Sequence, residues 1–222
     1  MIGPTRAQQR RERERAAARA TILSAARDLA RNEGWDAVTM RRLADRIEYS
    51  ANFAYRYFTG RDDILLALVR DGFARLRATL AAAGQGGAEP TAATSGTNVD
   101  AVRRASHAYL DFALAEPDLY QLMYGLGGVR VPPTETWNEG QAVGDVLTDL
   151  LTAAGDSQPG RHVLQLWATA HGLMALHIVG RVDIDVAVLH GLLDDAVIDV
   201  LARARPAAAA RRSTRSARRD QP

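Results

Sequence analysis

The run from Thr39 to Leu65, TMRRLADRIEYSANFAYRYFTGRDDIL, constrains the fold of this chain more than any other stretch. Leu43, Ala44 and Ile47 recur on one face of a short helix. Thr39 stands directly before it, where a side-chain oxygen can accept an orphan amide of the first turn. Ser50 repeats that signal and opens a further segment, near Ala51 to Tyr57, of small, polar and aromatic residues. Thr59 and Asp62 then have capping-box spacing ahead of a long helix, roughly 61–82, striped by Ile64, Leu65, Leu68 and Phe73. Two short helices joined by a tight turn and followed by a long one form the layout of a helix-turn-helix, whose second helix is held out toward a DNA major groove.

The rest of the chain also has helical spacing, and nothing in it has the alternation of a strand or an internal repeat. Ile22, Ala26 and Leu29 mark a first helix that stops at Asn32-Glu33-Gly34. Residues 84–97, GQGGAEPTAATSGT, break the pattern as a flexible loop, after which Asn98 is placed to cap a fifth helix to about Ala115. Pro117 restarts the chain in a short helix over Asp118 to Met123, and Gly125 to Pro133 is a loop. Helices near 134–153, 160–180 and 186–204 complete an all-α chain, and the tail 205–222, poor in large apolar side chains, is expected to be disordered.

The net charge of +2 hides an asymmetry. Residues 1–61 hold thirteen Arg against seven acids, +6, while residues 62–202 hold eight against eighteen, −10. Residues 203–222 hold seven Arg and one acid, +6. A basic end on an acidic body suits a protein that offers one face to a polyanion and keeps the rest away from it. Every cation is a guanidinium, since the chain has no Lys. Cys is absent as well, which excludes disulfides, thiolate catalysis and Cys-based zinc sites. No apolar run approaches the roughly 18 residues that span a bilayer, and the Arg-rich N-terminus lacks the apolar core of a secretory signal, so a cytoplasmic location is expected.

Several positions at fixed spacing resemble one family. Thr39-Met40-Arg41-Arg42-Leu43-Ala44, Tyr49-Ser50, and Tyr55-x-Tyr57-Phe58-x-x-Arg61-x-x-Ile64-Leu65 are similar to the DNA-binding domain of TetR-type transcriptional regulators. Ile22-Leu23-x-Ala25-Ala26-x-x-Leu29 with Gly34 agrees upstream. Trp167 to Leu173, with Pro117-x-Leu119-Tyr120-x-x-Met123 before it, resembles the effector domain of a subgroup named for its Trp-His-Gly motif. The resemblance implies a flexible Arg-rich arm over 1–14, a three-helix DNA-binding domain over 15–61 and a helical effector-binding and dimerisation domain over 62–204, joined by the long helix. It also implies a homodimer on a palindromic operator, with no cofactor, acting as a repressor released by a small apolar or aromatic effector.

Carried over residue by residue, Thr39, Tyr55, Tyr57 and Arg61 fall where the family grips phosphates, with Ser50 at the head of the reading helix. Arg41, Ala51 and Asn52 fall where it reaches base edges. Arg and Asn in a groove can make bidentate contacts to guanine and adenine. Glu48 stands where the turn usually carries Gly, and Ala54 where a larger aliphatic enters the core. Phe53 either turns inward to fill that space or faces a thymine methyl. Arg6, Arg10, Arg11, Arg13, Arg15 and Arg19 of the arm are candidates for further phosphate contacts, interleaved with Glu12 and Glu14.

For the effector, Tyr109, Phe112, Tyr120, Met123, Tyr124, Trp137, Trp167, His171 and Met174 are candidate pocket residues. Dimer contacts are expected from the last two long helices through Ala168, Leu173, Leu176, Val179, Leu189, Leu192, Leu193 and Val197. No His-x3-His pair exists, and His171 and His177, six residues apart, fall on different helix faces, so a metal site is not expected; Asp194-Asp195 has the look of a solvated face. No catalytic constellation is present, so an enzyme is not expected. The alternative to a ligand-responsive regulator is a DNA-organising protein without effector control.

Overall fold

The computed structural model describes residues 5–86, 94–126 and 128–204. The expected disordered tail lies outside them. All regular elements among the described residues are helical: α1 Arg6–Glu33, α2 Met40–Arg46, α3 Ala51–Tyr55, α4 Arg61–Gln85, α5 Thr94–Ala115, α6 Pro117–Tyr124, α7 Trp137–Ala153, α8 Pro159–Ile178 and α9 Val186–Ala204, with 3₁₀ turns at Trp35–Ala37 and Pro133–Glu135. None is long and apolar enough to cross a membrane.

Local chemistry explains most of the boundaries. Thr5 and Gln8 form a reciprocal capping box, so the helix already starts at Arg6 and the Arg-rich segment is helical from there. Gly34, at φ 82, ends α1 while its amide still donates to the Ala30 carbonyl at 2.8 Å. Thr39 caps α2 by accepting the Arg42 amide. Ser50 occupies the N-cap of α3 in extended geometry, but its side chain makes no capping bond.

Two expected caps differ. The carboxylate that reaches back to the Thr59 amide, at 2.9 Å, belongs to Asp63 and not to Asp62. Asn98 lies inside α5, which starts at Thr94, and its amide donates to the Ala153 carbonyl at 2.7 Å. A side chain with a partner on a different helix is no longer available to its own backbone.

The described residues pack as two compact units, which fall within Met1–Arg75 with Glu116–Gly140 and within Leu76–Ala115 with Gln141–Pro222. In the first, Ile22, Ala26, Leu29, Val38, Leu43, Ala44, Ala54, Phe58, Ile64, Leu65 and Leu68 are buried. Ala54 therefore takes the core position itself, and a Cβ at Gly72 would stand 2.6 Å from the Met123 sulfur, so Gly72 permits the close approach of α4 and α6. Glu116 receives hydrogen bonds from Arg27 of α1 and, at 2.5 Å, from Arg75 of α4. In the second unit, Val102, Leu151, Leu166, Val197 and Val200 form a core among α5, α7, α8 and α9. Asp194 is no solvated residue: it accepts both Nε and Nη2 of Arg103 at 3.0 Å and pairs with His107 at 2.8 Å.

Candidate nucleic-acid interface

The short helix α3 is anchored from one side only. Ala54 is fully buried and Phe58, just beyond the helix, is buried with Arg19 stacked over its ring at 4.0 Å. The same guanidinium donates to the Tyr57 carbonyl at 2.6 Å. Arg19 thus holds the end of α3 in place, a task its membership of an Arg-rich run did not disclose. On the other side Asn52 and Tyr55 are exposed, Tyr55 at 54%.

Before α3, the connection turns at Glu48, the one non-Gly residue with positive φ (58°) among those described. The Tyr49 amide then returns to the Ala44 carbonyl at 3.0 Å. The turn leaves Tyr49 55% exposed, stacked on Phe53 with ring centroids 4.1 Å apart and an interplanar angle of 18°. Phe53 is half-buried and meets Tyr57 at 5.1 Å. It neither enters the core nor stands free. Sequence spacing held the signal, since Tyr49, Phe53 and Tyr57 are four apart, but the stack was missed because Tyr49 precedes the helix.

Thr39 and Arg41 are exposed at the head of α2, and Arg46 and Arg56 are exposed nearby in sequence. Arg42 is occupied by Glu33 at 2.5 Å; that bond holds the Glu33 carboxyl below its ordinary value. Arg61 is drawn inward. Its Nε donates to the Val38 carbonyl and its Nη2 to the Trp35 carbonyl, both at 3.0 Å, so it fixes the strand of chain that leads into Thr39. The side chain of Ala51 lies outside the described residues.

The candidate effector residues divide between the units. In the first, Tyr120 is fully buried against Tyr124, Met123 is buried, Tyr124 meets Phe73 edge-on, and Trp137 is 68% exposed. In the second, Tyr109, Phe112 and Met174 are buried, and the Trp167 indole, 41% exposed, donates to the Tyr109 hydroxyl at 3.2 Å. His171 lies 6.0 Å from Trp167, and burial lowers its basicity. A cavity of about 10 Å³ beside Arg27, Trp35 and Glu116 has room for no more than a water, and none of the candidates lines it. Of the expected dimer contacts, Leu189, Leu193 and Val197 are fully buried within the protomer, which removes them from any interface. Leu176, Val179 and Leu192 are exposed.

A helix-turn-helix with its second helix anchored on one face and polar on the other, followed by a helical bundle, defines a DNA-binding transcriptional regulator of all-α architecture. The model of the TetR family of bacterial regulatory proteins matches residues 22–68. A tetracycline-repressor-like C-terminal domain model matches residues 102–200, and the two together cover about two thirds of the chain. The chain belongs to the TetR family.

Solved structures share the fold. A protein of unknown function from Rhodococcus sp. RHA1 is 27% identical, with TM-score 0.68 over 81% of this chain and 93% of that one. A TetR-like transcriptional regulator from the same organism shares 21% identity, with TM-score 0.62 over 84% and 97%. SCO4454, a TetR-family transcriptional regulator from Streptomyces coelicolor, shares 22%, with TM-score 0.65 over 85% and 96%. These last two likenesses bear on the fold alone. No curated protein matches the sequence.

Proposed function

We propose that the chain is a ligand-responsive repressor that binds a palindromic operator as a homodimer. The observation that carries this is the one-sided anchoring of α3, which leaves Asn52 and Tyr55 exposed, while Arg41 and Thr39 are exposed at the head of α2. Asn52, Arg41 and Ala51 read base edges, while Thr39, Ser50, Tyr55 and Tyr57 contact phosphates and set register. Arg61 acts through the backbone it holds, positioning Thr39. The reading head extends to Arg61 and the effector and dimerisation part begins at Asp62.

Dimerisation uses the outer faces of α8 and α9, where Ala168, Leu176, Val179 and Leu192 are exposed, joined by Leu164, Val188 and Ile198. A two-fold dimer requires half-sites related by a dyad and spaced for adjacent major grooves. The effector is a small apolar or aromatic molecule bound in the second unit near Tyr109, Phe112, Trp167, His171 and Met174, where a neutral His171 orients a polar group. It shifts the balance between two states by as much as it prefers one of them, and α4 carries the change.

Footprinting on genomic DNA, with the mass of the complex measured in parallel, tests the proposal. A protected palindrome with two or four protomers bound supports it. Protection without dyad preference and insensitive to added small molecules would favour the DNA-organising alternative.

A further inference from the structure

We propose that the Tyr49–Phe53 stack is a preformed apolar plate that meets the 5-methyl group of a pyrimidine in the major groove. Tyr49 and Phe53 are then specificity-determining residues, a role that rests on DNA reading by α3.

The core of the first unit does not need these rings. Leu43, Ala44, Ala54 and Phe58 are all buried, whereas Tyr49 is mostly exposed and Phe53 half-exposed. An aromatic pair held against water has unfavourable solvation unless something covers it. The backbone is also held in a conformation that favours the pair. Glu48 adopts φ 58, a geometry that disfavours any residue with a Cβ, and the chain leaves this turn with the Tyr49 ring 4.1 Å from that of Phe53. Backbone strain of this kind persists where the surrounding structure fixes it and recurs at ligand-contacting sites.

The surroundings define the occupant. In the same segment exposed Arg41, Arg46 and Arg56 outnumber exposed Asp45 and Glu48, and exposed Asn52 adds an amide, a net-cationic, hydrogen-bonding stretch that suits a polyanion and not an apolar peptide. Within a major groove the base edges are hydrogen-bond donors and acceptors, except for the 5-methyl of thymine, the group with which apolar side chains make contact. A methylated cytosine carries the same group at the same ring position. The stack and the Phe53–Tyr57 contact already restrict the Phe53 ring, so little rotamer freedom is left to lose on binding.

The test uses the full-length chain and duplexes that it selects from random pools, one made with ordinary dC and one with 5-methyl-dC. Each thymine of the best duplex is replaced in turn by deoxyuridine, and each 5-methyl-dC by dC, which removes one methyl and leaves pairing intact. The proposal predicts one position per half-site at which this weakens binding by about fourfold, the worth of burying one methyl group. The first pool assigns the methyl to thymine, the second to methylcytosine. Phe53→Ala abolishes the difference, and Tyr49→Phe, which keeps the stack, retains it. If every demethylated duplex binds the wild-type chain as tightly as its parent, or if Phe53→Ala keeps the full penalty with its helicity unchanged, the proposal is overturned while DNA reading stands. If neither pool yields an enriched duplex, DNA reading itself fails and this role falls with it.

Discussion

Glu48 and Arg61 show how single side chains set the geometry of the reading head. A Cβ-bearing residue in the left-handed region is strained by roughly 1–2 kcal/mol, while Gly loses about 0.5–1 kcal/mol more backbone entropy on folding. Glu48→Gly is therefore expected to stabilise the protein by about 0.5–1 kcal/mol, seen as a higher urea midpoint with an unchanged slope. Arg61→Ala removes two charge-assisted bonds from a partly exposed site and is expected to destabilise by about 1.5 kcal/mol in the same assay. Because those bonds are internal, the salt dependence of DNA binding measured well below the unfolding midpoint is expected to stay unchanged; a slope lower by about one unit would return Arg61 to the phosphates. Thr39 was legible from sequence because capping acts over three residues, whereas the turn at Glu48 was legible only through the family resemblance, Glu itself being no turn signal. Arg61 and Arg19 were not, since their acceptors lie 23 to 38 positions away and an arginine in a basic run carries no mark of which one turns inward.

At the scale of elements, Glu116 ties α1, α4 and α6 together. Desolvation pushes its carboxyl up, but the hydrogen bonds and charges of Arg27 and Arg75 together outweigh this and hold it below the ordinary value. The Asp194 carboxyl is likewise held low, chiefly by its hydrogen bond from Arg103, which joins α9 to α5. A carboxyl depressed on folding contributes stability that is complete above its unfolded value, about 4.5 for Glu116, and is lost as pH falls through the folded value. The urea midpoint is expected to fall steadily below about pH 4.5, and Glu116→Gln to lower it near pH 7 while flattening that acid limb. An acid limb as steep in the variant as in the parent would remove Glu116 from the account. Helix existence and order were readable from apolar periodicity in the longer helices and from the Ser50 cap and Pro117 in the short α3 and α6. The start of α5 was not, because Asn98, a good capping residue by type, finds its partner at the end of α7.

For the whole molecule, the exposed and buried sides of α9 make separate predictions. Leu192→Asp places a charge on the outer face and is expected to yield folded monomers by sedimentation, with operator affinity reduced at least tenfold. Leu193→Ala empties a fully buried position and is expected to lose about 2–5 kcal/mol of stability. The sequence did not separate these neighbours, since α9 carries apolar side chains on its buried face (Leu189, Leu193, Val197) and on its exposed one (Val188, Leu192, Ile198) alike. The claim on which the rest depends is that the exposed side of α3 reads bases. Its most direct measurement is the affinity of wild type and Asn52→Ala for a selected operator, for each single-base variant of it, and for random duplex. Asn52→Ala is expected to lose about 1–3 kcal/mol of discrimination at one base pair per half-site and to bind random duplex as the wild type does. Equal weakening on operator and random DNA would contradict that claim.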